Sequence, residues 1–517
     1  MMMKAYDKIV GKLGKPEEFF DTILKENQKQ KAICFLIAFF TCLFAYSPIL
    51  LKWLPNQDGL YYGFFFRPLS AYAVENSGGR FANTILAHFK SLFIFPAFDV
   101  VLSSIFLALA VTIIIFHYKV DDFWARFVLS VFLVITPCFC ATMTYYYCTD
   151  TYFLAVLCAM LAVCTMNKKK NLFWMIISSG MIVVVLSVYQ VYIFIAGSMC
   201  LIDLILMIMD KNQQTKKIIC NAMWYIVCVV VGGLVYGGLF FYLQKAWCFS
   251  AFAAHGFDVS SGETIKDYFI QFIQPYIYFF ECYFGNGIIS NSIFSALINV
   301  TVILLVAIVI VNVLKYNEID KSRKAMLLVC VGLVPFVFQG VAILSSKAIM
   351  YILMFPTIGL LYIMAFALIN QTGCLPNWVK SNGIKIGYLI VLTVVCFGQL
   401  RQVWSYQKSR ADSIASTYEI ASDIVKEIES IENSKEHPIM IGWGESSISN
   451  MVYNGSYAGS IGWLSFMQQY MGLNYEMCSD EQINAILEMN EYKEMPSFPD
   501  EGYVQLIDDT IVAKFEK

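Results

Sequence analysis

The chain has 517 residues, of which 58% are hydrophobic, 16% aromatic and only 14% charged. Soluble domains carry about 25% charged residues, so the composition excludes an ordinary soluble domain and points to a chain that crosses a membrane repeatedly. A formal net charge of −2 supplies no basic field for nucleic acid.

Residues 1–31 form a charged, helix-like leader that reads as a cytoplasmic N-terminal segment. The first apolar run follows near residue 32 with no small-residue cleavage site behind it, so it reads as an uncleaved span rather than a signal peptide. A bilayer core needs about 20 apolar residues of helix. By that measure spans are expected at 32–54, 92–116, 127–146, 151–166, 172–189, 191–209, 218–243, 292–314, 325–344, 349–369 and 385–403, about eleven in all. The run 172–209 is split at Tyr189-Gln190, where polar side chains suit a tight turn. Segment 268–284 is aromatic but broken by Gln and Pro275, and reads as interfacial or re-entrant.

Lys and Arg concentrate in alternate loops: Lys4 to Lys31, Lys119 and Arg126, Lys168 to Lys170, Lys211 to Lys217, Lys315 to Lys324, and Lys380 with Lys385. Cytoplasmic loops carry that bias. The loops 55–91 and 244–291 and the tail 404–517 are therefore expected on the outer face. The tail holds nineteen Asp/Glu against seven Lys/Arg, and a Lys-poor segment is compatible with that side. Within it, Ala411 to Ser434 has helical periodicity and Ile439 to Ile441 reads as a buried strand. Residues 479–492 read as a helix, and Val504 to Phe515 as a hairpin turning at Asp508-Asp509. The expected fold is an α-helical polytopic membrane protein with a small C-terminal extracytoplasmic domain, α/β or α+β.

The sixteen cysteines show no CxxC pair and no Cys/His zinc spacing, and most lie inside apolar runs as small hydrophobes. A disulfide among Cys148, Cys248, Cys282 and Cys478 is left open. There is no Walker loop and no Rossmann glycine fingerprint, which argues against nucleotide-dependent chemistry. His255, Asp258, Glu263 and Asp267 lack metal-ligand spacing; no metal ligand is assigned, and room remains for a divalent cation.

The most unusual stretch is Leu54 to Lys90, a long polar interruption that mixes Asp58, Arg67, Glu75, Arg80, His88 and Lys90 with aromatics. Ionisable groups at a membrane edge are costly and thus functional candidates. Asp58 lies just after the first span, where desolvation would raise its pKa and suit it to act as a general base; it reads equally as a turn former in Asn-Gln-Asp-Gly. Arg67 and Arg80 are candidate phosphate partners, Arg80 following a Ser77-Gly78-Gly79 backbone that permits close approach. Both read alternatively as interfacial arginines. Lys347, nearly the only cation on the outer side of the later spans, is a third phosphate candidate or else an exposed loop lysine. Asp99, in the second span, must face protein or water, and Asp150 either orients a ligand or caps its helix.

Several elements together resemble the GtrII-type membrane glucosyltransferases of bacteria, which decorate surface polysaccharides. They are Asp58 after the first span, Gly79-Arg80-Phe81 before the second, Asp150-Thr151-Tyr152-Phe153 opening the fourth and Tyr189-Gln190-Val191-Tyr192 between the fifth and sixth. The tail adds Met495 to Pro499 and Ile511 to Lys514. The chain departs from the family's paired acids, since Gln57 precedes Asp58. The resemblance implies a GT-C-like fold in the bacterial cytoplasmic membrane and transfer of glucose from a polyprenyl-phosphate donor to a cell-surface polysaccharide. It implies Asp58 as base, Arg80, Lys347 and Arg67 on the donor phosphate, and Asp99, Asp150, Tyr152, Tyr189 and Gln190 orienting substrate. A transporter or flippase of lipid-linked sugars, or a transferase of another sugar, is the alternative.

Overall fold

The computed structural model describes residues 27–56, 59, 75–89, 95–247, 265–284, 293–315, 319–343, 351–371, 382–441 and 460–515. Its first half is a bundle of α1 (Gln28–Ala45), α2 (Ser47–Lys52), α3 (Phe81–Phe89), α4 (Pro96–His117), α5 (Phe123–Val134), α6 (Pro137–Met143), α7 (Thr149–Met166), α8 (Leu172–Val188), α9 (Ile193–Met209) and α10 (Thr215–Ala246). There follow α11 (Ile265–Phe284), α12 (Ile293–Lys315), α13 (Lys321–Phe338), α14 (Ile358–Gln371) and α15 (Asn382–Ser430). Among the described residues eight helices are long and apolar enough to cross a membrane, or nine if α5 and α6 count as one span. The protein is thus a helical membrane protein. Helices occupy all eleven segments named from the sequence, but α8 is short, at 17 residues, and α13 opens on Lys321, Arg323 and Lys324.

Helix α7 is the axis of the first half and packs on α4, α8 and α9. It buries Ala155, Ala159 and Ala162 on its length. Small residues let helix backbones approach closely where lipid offers no hydrophobic drive for association. The same logic joins α8 and α10. A Cβ on Gly232 would lie 2.7 Å from Ile182 Cγ2, and Ser179 Oγ donates to Cys228 O at 2.9 Å across the same contact.

The expected span 127–146 is two helices bent by 50°. The break is at Thr136-Pro137, where Pro137 has no N–H to donate and forces Thr136 to an extended ψ of 129°. Segment 265–284 is a helix with Pro275 inside it, not one of the eight. It buries Phe279, Cys282 and Tyr283 and exposes Phe269, Phe272 and Phe280.

The polar groups at the two ends of the bundle differ. At the end formed by the C-termini of α4, α7 and α9, His117 Nε2 faces Asp203 Oδ1 and Oδ2 at 2.9 and 3.0 Å. Asn167 Nδ2 donates to Asp203 Oδ2 at 2.7 Å, and Tyr225 OH to Asn167 Oδ1 at 2.6 Å. These bonds tie α4, α7, α9 and α10 together. Buried Arg323 donates to the carbonyls of Ile208, Met207 and Asp210. It closes the C-terminus of α9, where a cation also complements the helix dipole. Lys119, Lys168 to Lys170, Lys211, Lys216 and Lys217 flank this same end.

The expected span 385–403 and the helical stretch from Ala411 are one continuous helix, α15. It runs unbroken for 49 residues, about 74 Å at 1.5 Å per residue, because no Pro or Gly interrupts 388–430 except Gly398. Its far end buries Ala421, Ile424, Val425 and Ile428 against the tail. There β1 (Ile439–Ile441), β2 (Val504–Ile507) and β3 (Thr510–Ala513) form a sheet of order β1-β3-β2, with β1 parallel and β2 antiparallel to β3. Asp508 and Asp509 make the hairpin turn with φ of 44° and 62°, the left-handed pair a type I′ hairpin needs. Helices α16 (Ser460–Met471), α17 (Asp480–Glu488) and α18 (Asn490–Glu494) complete the tail. Cys148, Cys282 and Cys478 are free thiols, so the disulfide left open by the sequence does not join them; Cys248 lies outside the described residues.

Replacing Asp203 with Ala strips His117 and Asn167 of their shared acceptor. Breaking a buried pair on one side costs about 3 kcal/mol or more, so the thermal unfolding midpoint in detergent should fall clearly, whereas Lys170→Ala at the exposed rim should leave it unchanged.

Candidate active site

The opposite end of the bundle is built by the N-termini of α4, α7 and α9, the C-terminus of α8 and the segment 75–89. Residues 75–80 form a tight turn: Arg80 N donates to Glu75 O at 2.8 Å and Gly79 N to Asn76 O at 3.0 Å. Gly79 has φ 78°, the left-handed conformation glycine adopts at no steric cost. A Cβ there would collide with the Tyr236 hydroxyl and lie 3.0 Å from Gln190 Nε2. The bare glycine backbone is thus approached by two side chains of the bundle. Gln190 Nε2 donates to Gly78 O at 2.9 Å, and Tyr236 OH to Gly79 O at 3.2 Å.

This turn delivers two charges. Glu75 is buried, and its carboxylate accepts from Arg80 Nη1 at 3.2 Å, Asn83 Nδ2 at 2.8 Å and Tyr147 OH at 3.2 Å. Asn83 is itself held by Thr151 Oγ1, which donates to its Oδ1 at 2.8 Å. Arg80 lies over the Tyr189 ring at 4.6 Å, and Tyr189 stacks on Tyr152 at 5.2 Å and 11°. Burial disfavours the Arg80 charge, but the Glu75 carboxylate, helped by the Tyr152 and Tyr189 hydroxyls, outweighs it and holds the guanidinium well above its usual pKa. Arg80 keeps a 22% exposed side chain, and its buried Nε has no hydrogen-bond partner among the described residues. A fixed guanidinium with a spare N–H on an aromatic platform is suited to grip an anionic oxygen.

Of the residues expected at the site, Arg80, Tyr152, Tyr189 and Gln190 converge. Asp150 is buried in the first turn of α7, beside Thr151. Asp99 is buried in the first turn of α4, where its Oδ2 accepts from Phe95 N at 3.3 Å. A carboxylate there favours the helix N-terminus, and Ser103 links its turn to Thr149 at 3.4 Å. Asp58, Arg67 and Lys347 lie outside the described residues. Among the described residues no group of three or more His, Cys, Asp or Glu side chains is placed to hold a metal ion.

Sequence reasoning assigned no role to Glu75, Asn83, Tyr147 or Tyr236. The spacing Glu75, Arg80, Asn83 within one loop was the available signal for the first two. Tyr147 is one of three consecutive tyrosines in a membrane-edge turn, and Tyr236 lies inside a span 40 residues or more from the rest. Only the packing of α10 on α8 brings it in.

The protein-family model described as "Glucosyl transferase GtrII" matches residues 71–369, more than half of the chain. The match takes in Glu75, Arg80, Tyr152, Tyr189 and Gln190, and leaves Asp58 and the tail outside it. Comparisons with curated proteins and with solved structures return no match. The chain belongs to the glucosyl transferase GtrII family and is a membrane glycosyltransferase.

Proposed function

We propose that this protein transfers a glucosyl residue from a polyprenyl-phosphate donor to a cell-surface polysaccharide on the outer face of the bacterial cytoplasmic membrane. The observation that carries the reading is Arg80, held by Glu75 over the Tyr189–Tyr152 stack with one N–H unspent at the rim of an apolar bundle. A lipid phosphate needs that combination of a fixed cation and adjoining hydrocarbon. The Lys clusters at the other end of the bundle support a cytoplasmic orientation for that end, and so an outward one for the Arg80 end. The same bias supports a cytoplasmic N-terminus and an extracytoplasmic tail, residues 404–517.

In this reading Arg80 neutralises the departing phosphate, with Lys347 and Arg67 as further partners. The stacked tyrosines present a flat face to the sugar, and Gln190 holds the Gly78-Gly79 turn in place. Asp58 takes the proton from the acceptor hydroxyl, and a single displacement inverts the anomeric centre. Glu75 is unsuited to act as that base, because three donors already occupy its oxygens; it serves instead as the anchor of Arg80. Asp150 and Asp99 orient their helix ends beneath the pocket.

Purified protein given polyprenyl-phosphate glucose and an acceptor polysaccharide should release polyprenyl phosphate and glucosylate the acceptor. A protein that only moves the intact donor across a vesicle membrane would overturn the proposal in favour of a transporter. Asp58→Asn should abolish transfer with expression and thermal midpoint preserved; retained activity removes Asp58 from the chemistry. Arg80→Lys keeps the charge but loses the planar fork. A charge-assisted hydrogen bond is worth about 1.5–3 kcal/mol, so kcat/KM should fall about ten- to hundredfold. Glu75→Gln should lower activity through the same residue, and combining it with Arg80→Lys should give much less than the product of the two losses.

A further inference from the structure

Among the described residues, helix α16 of the tail meets the bundle where Tyr470 OH donates to Trp53 O at 2.6 Å. Trp53 sits at φ 51°, a conformation a bulky residue adopts only where its surroundings impose it. Three residues on, Asn56 N donates to Thr144 O at 3.1 Å, and Gly59 N to Asn56 Oδ1 at 2.6 Å. Thr144 opens the turn that carries Tyr147, and Tyr147 donates to Glu75. An unbroken line of contacts thus runs from α16 to the charged pair at the site.

The two faces of α16 are unlike. Trp463, Leu464, Phe466 and Met467 bury themselves in the tail core, with Tyr470 and Met471 packed beside them. At 100° per residue, Ser465, Gln468 and Gln469 fall together on the opposite face. Ser465 is fully buried. Its Oγ, Gln468 Oε1 and both Gln469 amide atoms are shielded from solvent and have no hydrogen-bond partner among the described residues. Each unmet buried polar group costs about 1–3 kcal/mol, and native proteins keep few of them. Four such atoms within two helical turns point to a ligand that supplies the missing bonds. A primary amide offers donors and an acceptor a fixed distance apart, and a hydroxyl offers both, which is the pairing that adjacent hydroxyls on a sugar ring satisfy.

We infer that the Ser465, Gln468 and Gln469 face of α16 is a sugar-binding wall of the transfer site, with Tyr470 clamping it to the first span. The inference rests on the glycosyl-transfer reading and adds to it the surface that receives a sugar ring. The ring belongs either to the acceptor glycan or to the glucosyl group of the donor.

The test uses the full-length protein in nanodiscs and the variants Gln468→Ala, Gln469→Leu and the pair together. Binding of methyl glucoside and of polyprenyl-phosphate glucose is followed separately by saturation-transfer NMR, beside thermal unfolding and transfer kinetics. The wall predicts sugar binding weakened about tenfold, from one lost hydrogen bond of about 1.4 kcal/mol. It also predicts a Gln469→Leu midpoint that is unchanged or raised, because an unmet polar group has been removed. Loss of the lipid-linked sugar, with or without methyl glucoside, assigns the wall to the donor's glucosyl ring, and loss confined to methyl glucoside assigns it to a lipid-free ring, as an acceptor presents. Variants that bind both sugars as the wild type does overturn the wall, and leave the transfer reading standing if wild-type protein still glucosylates. Sugar binding that depends on Gln469, in a protein that transfers nothing, keeps the wall and removes that reading instead.

Discussion

One buried ion pair organises the end of this molecule that carries its candidate chemistry. Glu75 and Arg80 are five residues apart on a single turn, so the chain brings them together locally. A bare carboxylate in that place would be severely penalised. It is stabilised because Asn83 and Tyr147 fill its remaining lone pairs, and because Arg80 rests on an aromatic face that favours a cation. Each supporting group comes from a different place: Asn83 from α3, Tyr147 from the turn before α7, Tyr189 from the end of α8. The pair therefore reports on the register of the whole bundle end. A small slip of α7 or α8 would leave charges unmet, which makes the arrangement either fully formed or strongly disfavoured.

The bundle separates two kinds of polarity. At one end the helix N-termini of α4, α7 and α9 gather Asp99, Asp150 and the Glu75–Arg80 turn. At the other, C-termini gather His117, Asp203, Asn167 and the capping Arg323. The second cluster ties four helices and closes a helix end with Arg323, which is only 5% exposed, whereas in the first the Arg80 side chain stays 22% exposed; each cluster holds one guanidinium Nε without a partner among the described residues. That difference separates a polar group that serves the fold from one available to a ligand. Intramembrane ionisable residues belong to both classes, and their partners and exposure together tell them apart.

The tail is coupled to the bundle more closely than a tethered appendage would be. Helix α15 is continuous from one to the other. Gln407 on it spans the break between α1 and α2, donating to Ala45 O at 2.8 Å and accepting from Ile49 N at 3.3 Å. With Tyr470 on Trp53, two side chains from beyond the last span set the exit of the first. The described residues just past that exit, 54–56, thus follow a backbone held by side chains from the C-terminal part of the chain.

Much of this was legible in order along the sequence. Apolar runs of about 20 residues mark helices because a bilayer accepts no unmet backbone. The Tyr189-Gln190 break, the Asp508-Asp509 hairpin and the Ile439–Ile441 strand follow from local turn chemistry and alternation. The convergence of Arg80, Tyr152, Tyr189 and Gln190 was suggested by motif resemblance, not by spacing. The bend at Pro137 and the continuity of α15 were not legible, since a proline at a helix N-terminus and an unbroken polar helix after a span each permit more than one geometry. The sequence by itself determined which segments are helical, that the chain is a membrane protein and which family it belongs to, because these depend on residue type and order along the chain. Tertiary structure alone decided that Glu75 anchors Arg80, that Tyr236 closes on Gly79 and that Tyr470 clasps Trp53. The Tyr236 and Tyr470 bonds join segments more than a hundred residues apart, and the Glu75–Arg80 pair, though local, is held in place by Tyr147 and Tyr189 from other elements; no local pattern encodes the angle at which such elements meet.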